Sequence, residues 1–165
     1  MKIFAALAVL IFVLYAAQTS LLTYLDYNGV SANLMLPVTV SAAYLRGHYF
    51  GVAMGFCTGL LQDLTTGGFF GCATFSYMTI GLIFGRLSER FVKEQFLMPV
   101  ISAPVAAAIY FFMVTGFLHM LGYAVDIKRA VDEMLIPMTF YQLIFALPIH
   151  KIAYDFDKFV KEFWS

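Results

Sequence analysis

Residues 95–125, QFLMPVISAPVAAAIYFFMVTGFLHMLGYAV, run for 31 positions without one Asp, Glu, Lys or Arg. A helix rises about 1.5 Å per residue and the hydrocarbon of a bilayer is about 30 Å thick, so about 20 apolar residues span it. A charge held at the bilayer centre costs at least about 2.5 kcal/mol, so intervals free of charge mark where spans lie. Working outward from this stretch, the same test finds five more intervals. Ile3–Leu25 lies between Lys2 and Asp26, and a second interval follows the turn residues Asn28, Gly29 and Asn33 and stops at Arg46. The third, Gly47–Gln62, is closed by Asp63, and the fourth follows the Thr65-Thr66-Gly67-Gly68 turn and runs to Gly85. Met134–His150 is the last, set apart by Asp126, Lys128, Arg129, Asp132 and Glu133.

These intervals predict an all-α membrane protein of six transmembrane helices in a single polytopic domain, residues 1–165, with spans near 3–25, 32–45, 48–62, 69–86, 97–122 and 133–150. Spans two and three have apolar cores of only about 13 to 16 residues, and one carries Pro37, so each is short, tilted or re-entrant. The basic start, apolar run and small Ala16-Ala17 pair of the first segment also resemble a secretory signal. The length of its uncharged run, and the spans that follow, favour a retained helix.

Composition agrees. The chain is 62% apolar and 12% charged, with a mean hydropathy of +0.84, whereas a soluble domain carries about 25% charge to wet its surface. Membrane lipid is the expected surroundings. Net charge is zero, so there is no basic field to hold a nucleic acid. Cys57 and Cys72 fall in apolar stretches, where a thiol acts as a small hydrophobe, and they imply neither a metal site nor a disulfide framework.

Orientation follows from positive residues in short loops. With the N-terminus inside, Lys2, Arg46, Arg86, Arg90, Lys93, Lys151, Lys158 and Lys161 lie on the cytoplasmic side, against Lys128 and Arg129 outside. Both termini are then cytoplasmic, and no soluble domain is expected at either end. Ile152, Phe156, Phe159, Val160 and Phe163 recur at helical spacing among charges, which predicts either a short interfacial helix over 152–165, with Trp164 near the headgroups, or the frayed end of span six.

Nine of the twelve glycines lie between Gly47 and Gly85. Gly51, Gly55 and Gly59 recur every fourth residue and so share one stripe of a helix, where missing side chains let a second backbone approach. Gly81 and Gly85 repeat the device in span four. The stripes serve either packing between the chain's own helices or contact with a partner. One more turn of the first stripe reaches Asp63, whose carboxylate is costly near a membrane unless solvated or paired. It is a water-exposed loop acid, a proton acceptor, the mate of a partner's arginine, or a cap on the backbone N–H groups around Thr65–Gly68.

The run Gly51-x3-Gly55-x3-Gly59-Leu60-Leu61-Gln62-Asp63-Leu64-x2-Gly67-x3-Gly71 resembles the signature of the rod shape-determining MreD family. The ordered part covers roughly residues 47–90; elsewhere length and hydropathy agree. The resemblance implies a bacterial inner-membrane scaffold of the cell-elongation machinery that binds the bitopic protein MreC. Through MreC it would reach actin-like MreB, a RodA-type transglycosylase and a class B penicillin-binding protein, helping to organise lateral peptidoglycan synthesis and maintain rod shape. It also implies that Gly51, Gly55, Gly59, Asp63, Gly67, Gly68, Gly71, Gly81 and Gly85 serve helix packing or partner contact. The family is similar in fold to the substrate-binding subunits of energy-coupling-factor transporters. That likeness supplies an alternative, a solute-binding subunit of a vitamin-type transporter, with a pocket drawn from Tyr24, Asn28, Asn33, Tyr77, His119 and Tyr123.

No enzyme is expected, and no cofactor. No Ser-His-Asp set, HExxH or Cys/His cluster can be assembled. His48 and His150 stand beside basic residues at inner ends and read as interface decoration, while His119, deep in span five, reads as a hydrogen-bonded packing residue.

Overall fold

The computed structural model describes residues 2–21, 33–66, 70–89 and 98–164. Regular structure among them is helical: α1 (Lys2–Leu21), α2 (Met35–Arg46), α3 (His48–Thr66), α4 (Cys72–Ser88), α5 (Met98–Met120), a short α6 (Ile127–Ala130), a π-helical turn (Val131–Leu135) and α7 (Ile136–Trp164). Each charge-poor interval of the sequence overlaps one of the longer helices, several of which run past the interval's end.

The shortest of these longer helices is the hub. All residues from Met35 to Ala43 of α2 are buried, and α3, α4, α5 and α7 pack around it. A helix apolar all round and buried all round lies at the centre of a bundle. Its 12 residues rise about 18 Å, less than the hydrocarbon thickness of about 30 Å. Pro37 does not break it. The proline sits in the first turn, where a backbone N–H would have no helical acceptor and its absence costs nothing, and the Val38 N–H to Leu34 carbonyl bond (3.2 Å) forms beside it. Two further first-turn donors are met by side chains: the Leu34 N–H by Gln18 Oε1 at 2.8 Å and the Met35 N–H by Asn33 Oδ1 at 3.1 Å.

One residue, Gly47, joins α2 to α3. Its φ of +82° is a left-handed conformation that a β-carbon disfavours, and it reverses the chain in a single step. The hairpin lays α3 along α2, and α4 returns along α3. Met54 of α3, Tyr77, Ile80 and Phe84 of α4, Ala106 and Ala107 of α5 and Ile149 of α7 complete the core around Met35, Leu36, Val38 and Val40. A pair of threonines binds α2 to α3 inside this core. Thr39 Oγ1 and Thr58 Oγ1 are 2.7 Å apart, and each also reaches its own i−4 carbonyl, at Met35 and Met54. With one proton per hydroxyl, one threonine donates across and the other donates back to its helix.

Two helices run beyond the spans read from the sequence. The charged stretch from Asp126 to Glu133 is itself helical from Ile127, N-capped by the Asp126 carboxylate on the Lys128 and Arg129 N–H groups. α7 then continues unbroken to Trp164, so residues 152–164 extend the helix of the sixth interval. Both have one cause: no glycine occurs after Gly122, so nothing in the sequence offers a left-handed helix end.

Val100–Met120 and Ile127–Phe159 are long and apolar enough to cross a membrane. They are apolar without being internal. Only 28% and 17% of their most apolar windows are buried, and Ile101, Phe112, Phe140, Ile144 and Leu147 point outward.

Candidate functional site

The glycine stripe of α3 lies against α4. A β-carbon on Gly51 would come within 2.6 Å of the Gly81 carbonyl oxygen, one on Gly55 within 2.6 Å of the Tyr77 carbonyl carbon, and one on Gly59 within 2.5 Å of Thr74 Cα. From the other side, a β-carbon on Gly81 would meet the Gly51 carbonyl carbon at 2.5 Å, and one on Gly85 the His48 nitrogen at 2.7 Å. Apart from the Ala43 β-carbon of α2, which a β-carbon on Gly51 would also meet at 2.7 Å, the obstacles are backbone atoms, so two main chains are in direct contact over the length of the seam. Small residues at this spacing are what such an approach requires.

Asp63 closes the seam at the far end of α3. Its Oδ2 accepts from the Gly71 N–H (3.0 Å), the Thr74 N–H (2.9 Å) and the Thr74 hydroxyl (2.5 Å), and its Oδ1 accepts from the Ala73 N–H (2.9 Å). The carboxylate therefore caps α4 from eight to eleven residues upstream. It stands in for the residue at the cap position itself, Gly71, which adopts φ +99° and has no side chain to offer. A negative group at the positive end of the α4 dipole adds to the effect. Asp63 is only 7% exposed, so it is not a water-exposed loop acid. Among the described residues its donors are those of Gly71, Ala73 and Thr74, not of Thr65 and Thr66. α3 continues through Thr66, Thr65 turns its hydroxyl back to the Leu61 carbonyl (2.9 Å), and the open N–H groups are those that begin the next helix. Gly67 and Gly68 lie outside the described residues.

Beside this cap lies a set of amides, Gln18 and Gln142 buried and Asn33 and Gln62 half-buried. Gln18 Nε2 donates to Gln62 Oε1 at 3.3 Å, Asn33 Nδ2 donates to the Tyr77 hydroxyl, and Gln142 Nε2 donates to the Asn33 carbonyl at 3.3 Å. Tyr77 is fully buried, its ring 5.4 Å from that of Tyr110. Of the residues considered for a solute pocket, Asn33 and Tyr77 thus bond to each other, while His119 and Tyr123 are exposed near the end of α5. Tyr24 and Asn28 lie outside the described residues. Gln18 and Gln142 were not singled out in the sequence, although a lone amide in an apolar run is a signal that a partner exists.

The opposite ends of these helices are ionic. Arg46 Nε meets Asp157 Oδ1 at 2.5 Å, with the guanidinium 4.9 Å from the Phe50 ring centre. His48 Nδ1 meets Glu89 Oε1 at 2.5 Å, and that bond holds the Glu89 carboxyl below the usual glutamate range. His48 is accordingly bonded to a carboxylate at this end of the bundle. His150, at 1% exposure, is a core residue rather than interface decoration, and His119 is exposed in the last turn of α5 rather than packed. Among the described residues no three His, Cys, Asp or Glu side chains gather as a metal site, and Cys57 and Cys72 are free thiols.

The family model described as rod shape-determining protein MreD matches residues 1–160. No curated protein and no solved structure matches the chain.

Proposed function

Since the chain belongs to the MreD family of rod shape-determining proteins, we propose that it is a non-catalytic, multi-pass scaffold of the bacterial cytoplasmic membrane that binds MreC. Through MreC it engages MreB, a RodA-type transglycosylase and a class B penicillin-binding protein, and so helps organise lateral peptidoglycan synthesis. The observation that carries the membrane half of this reading is the outward apolar surface of α5 and α7. A core helix of a soluble protein of similar hydropathy hides most of its apolar residues, and these two helices do not.

The ends of the bundle support the orientation with both termini inside. Arg46 meets Asp157, and His48, two residues from Arg46, meets Glu89, three residues from Arg86. Residues assigned to the cytoplasmic side from charge alone therefore come together at one end, while Gln18, Gln62 and Asp63 gather around the start of α4 and α2. Because the glycine faces of α3 and α4 are filled by each other, MreC docks on other surfaces. The seam and its acidic cap act on partner binding by fixing the shape of the scaffold. The solute-binding alternative draws no support from Asn33 and Tyr77, whose side chains are hydrogen-bonded to each other.

The test is affinity purification of the full chain from native membranes of its own host, with identification of co-purifying proteins. Recovery of MreC is expected. A preparation that retains the chain in the membrane and yields no MreC contradicts the proposal.

A further inference from the structure

Gln142 of α7 is 1% exposed, and its two amide atoms have different fates. Nε2 donates to the Asn33 carbonyl, which can only accept, so the amide cannot be turned over and Oε1 must face the other way. Oε1 is buried and meets no protein donor. On α2, the Ser41 hydroxyl is in the same condition: the residue is 1% exposed and its Oγ has no protein partner. Ser41 and Gln142 line one small cavity, walled otherwise by Leu36, Val40, Ala103 and Ala146, where α2, α5 and α7 meet.

Buried polar atoms are rarely left unsatisfied, and two residues that each carry one, lining the same small cavity, are a setting in which proteins keep an internal water. We propose that this cavity is a structural water site, the water donating to Gln142 Oε1 and accepting from the Ser41 hydroxyl. The water links Ser41 on α2 to Gln142 on α7, which bonds the main-chain carbonyl of Asn33, the residue whose side-chain amide donates to Tyr77 of α4. It serves as the joint between the central helix and α7. Ser41 Oγ and Gln142 Oε1 do not bond each other, so the bound water lets the serine and the amide hold the two helices in register.

The experiment compares the full-length protein with Ser41→Ala by thermal unfolding in lipid nanodiscs, and follows magnetisation transfer from water to the Gln142 side-chain amide by solid-state NMR in bilayers. A bound water loses a partner in the variant, so Tm falls by about 2–4 °C, and in the unmodified protein the Gln142 amide receives polarisation from water although it is sealed from solvent. A dry cavity gives the opposite sign, because removing an unsatisfied hydroxyl relieves the fold. An unchanged or raised Tm overturns the proposal, as does a lowered Tm with no transfer from water to Gln142.

Discussion

Arg46 and Asp157 stand 111 positions apart in the sequence, and the guanidinium Nε and carboxylate Oδ1 meet at 2.5 Å where the end of α2 passes α7. Their side chains are 21% and 9% exposed, so the pair is largely removed from water. Taking away one partner of a buried pair leaves the other charge poorly compensated, whereas replacing both with apolar groups does not. Arg46→Met is expected to destabilise the protein by on the order of 3 kcal/mol, and adding Asp157→Leu is expected to recover most of that loss. Thermal unfolding of the three purified variants in one detergent checks both statements.

Gly55 and Gly116 offer a matched pair of substitutions. A β-carbon at Gly55 meets the Tyr77 backbone at 2.6 Å, which cannot swing aside, so α3 and α4 must part; Gly116 has nothing within 4 Å. Gly55→Ala is expected to cost about 2 kcal/mol or more by overpacking. Gly116→Ala is expected to be neutral or to stabilise by up to about 1 kcal/mol through helix propensity. Equal effects of the two alanines in an unfolding assay would contradict the packed seam.

The Asp63 cap is tested by grading its loss. Asp63→Asn turns one acceptor into a donor that faces N–H groups, and is expected to destabilise by on the order of 3 kcal/mol. Thr74→Val removes only the hydroxyl bond and should cost about 1 kcal/mol. Amide hydrogen exchange at Ala73 and Thr74 should accelerate far more in the first variant than in the second.

Glu89 gives a pH readout. Its carboxyl is held below the ordinary glutamate value of 4.5, first by the hydrogen bond from His48. A depressed carboxylate pKa means that the tie stabilises the fold above the unfolded value and is lost as pH falls through the lowered folded value. Carbon NMR titration of Glu89 should find its midpoint moving up in His48→Ala.

Which of these relationships the sequence discloses depends on their periodicity. Gly51, Gly55 and Gly59 repeat at a spacing that maps directly onto one helix face, so a close backbone contact is legible from the letters alone. That the face belongs to α4 is not, since the stripe is the same whichever helix fills it. α2 is hard to read for the opposite reason. A helix buried all round has no polar face to set its period, and its short apolar core invites a weaker assignment than the central place it holds. Asp63 is visible as a carboxylate needing partners, but its donors lie across a turn whose geometry is not written locally. Arg46–Asp157 and Gln142–Asn33 join residues more than 100 positions apart, and nothing in either segment names the other.

Cell geometry under controlled loss of the protein measures most directly whether this chain determines rod shape. In its rod-shaped host, depletion is expected to turn rods into spheres. Induction of the unmodified chain should restore length and width, and equal amounts of membrane-inserted Asp63→Asn should restore them incompletely. Cells that stay rod-shaped through full depletion would contradict the account.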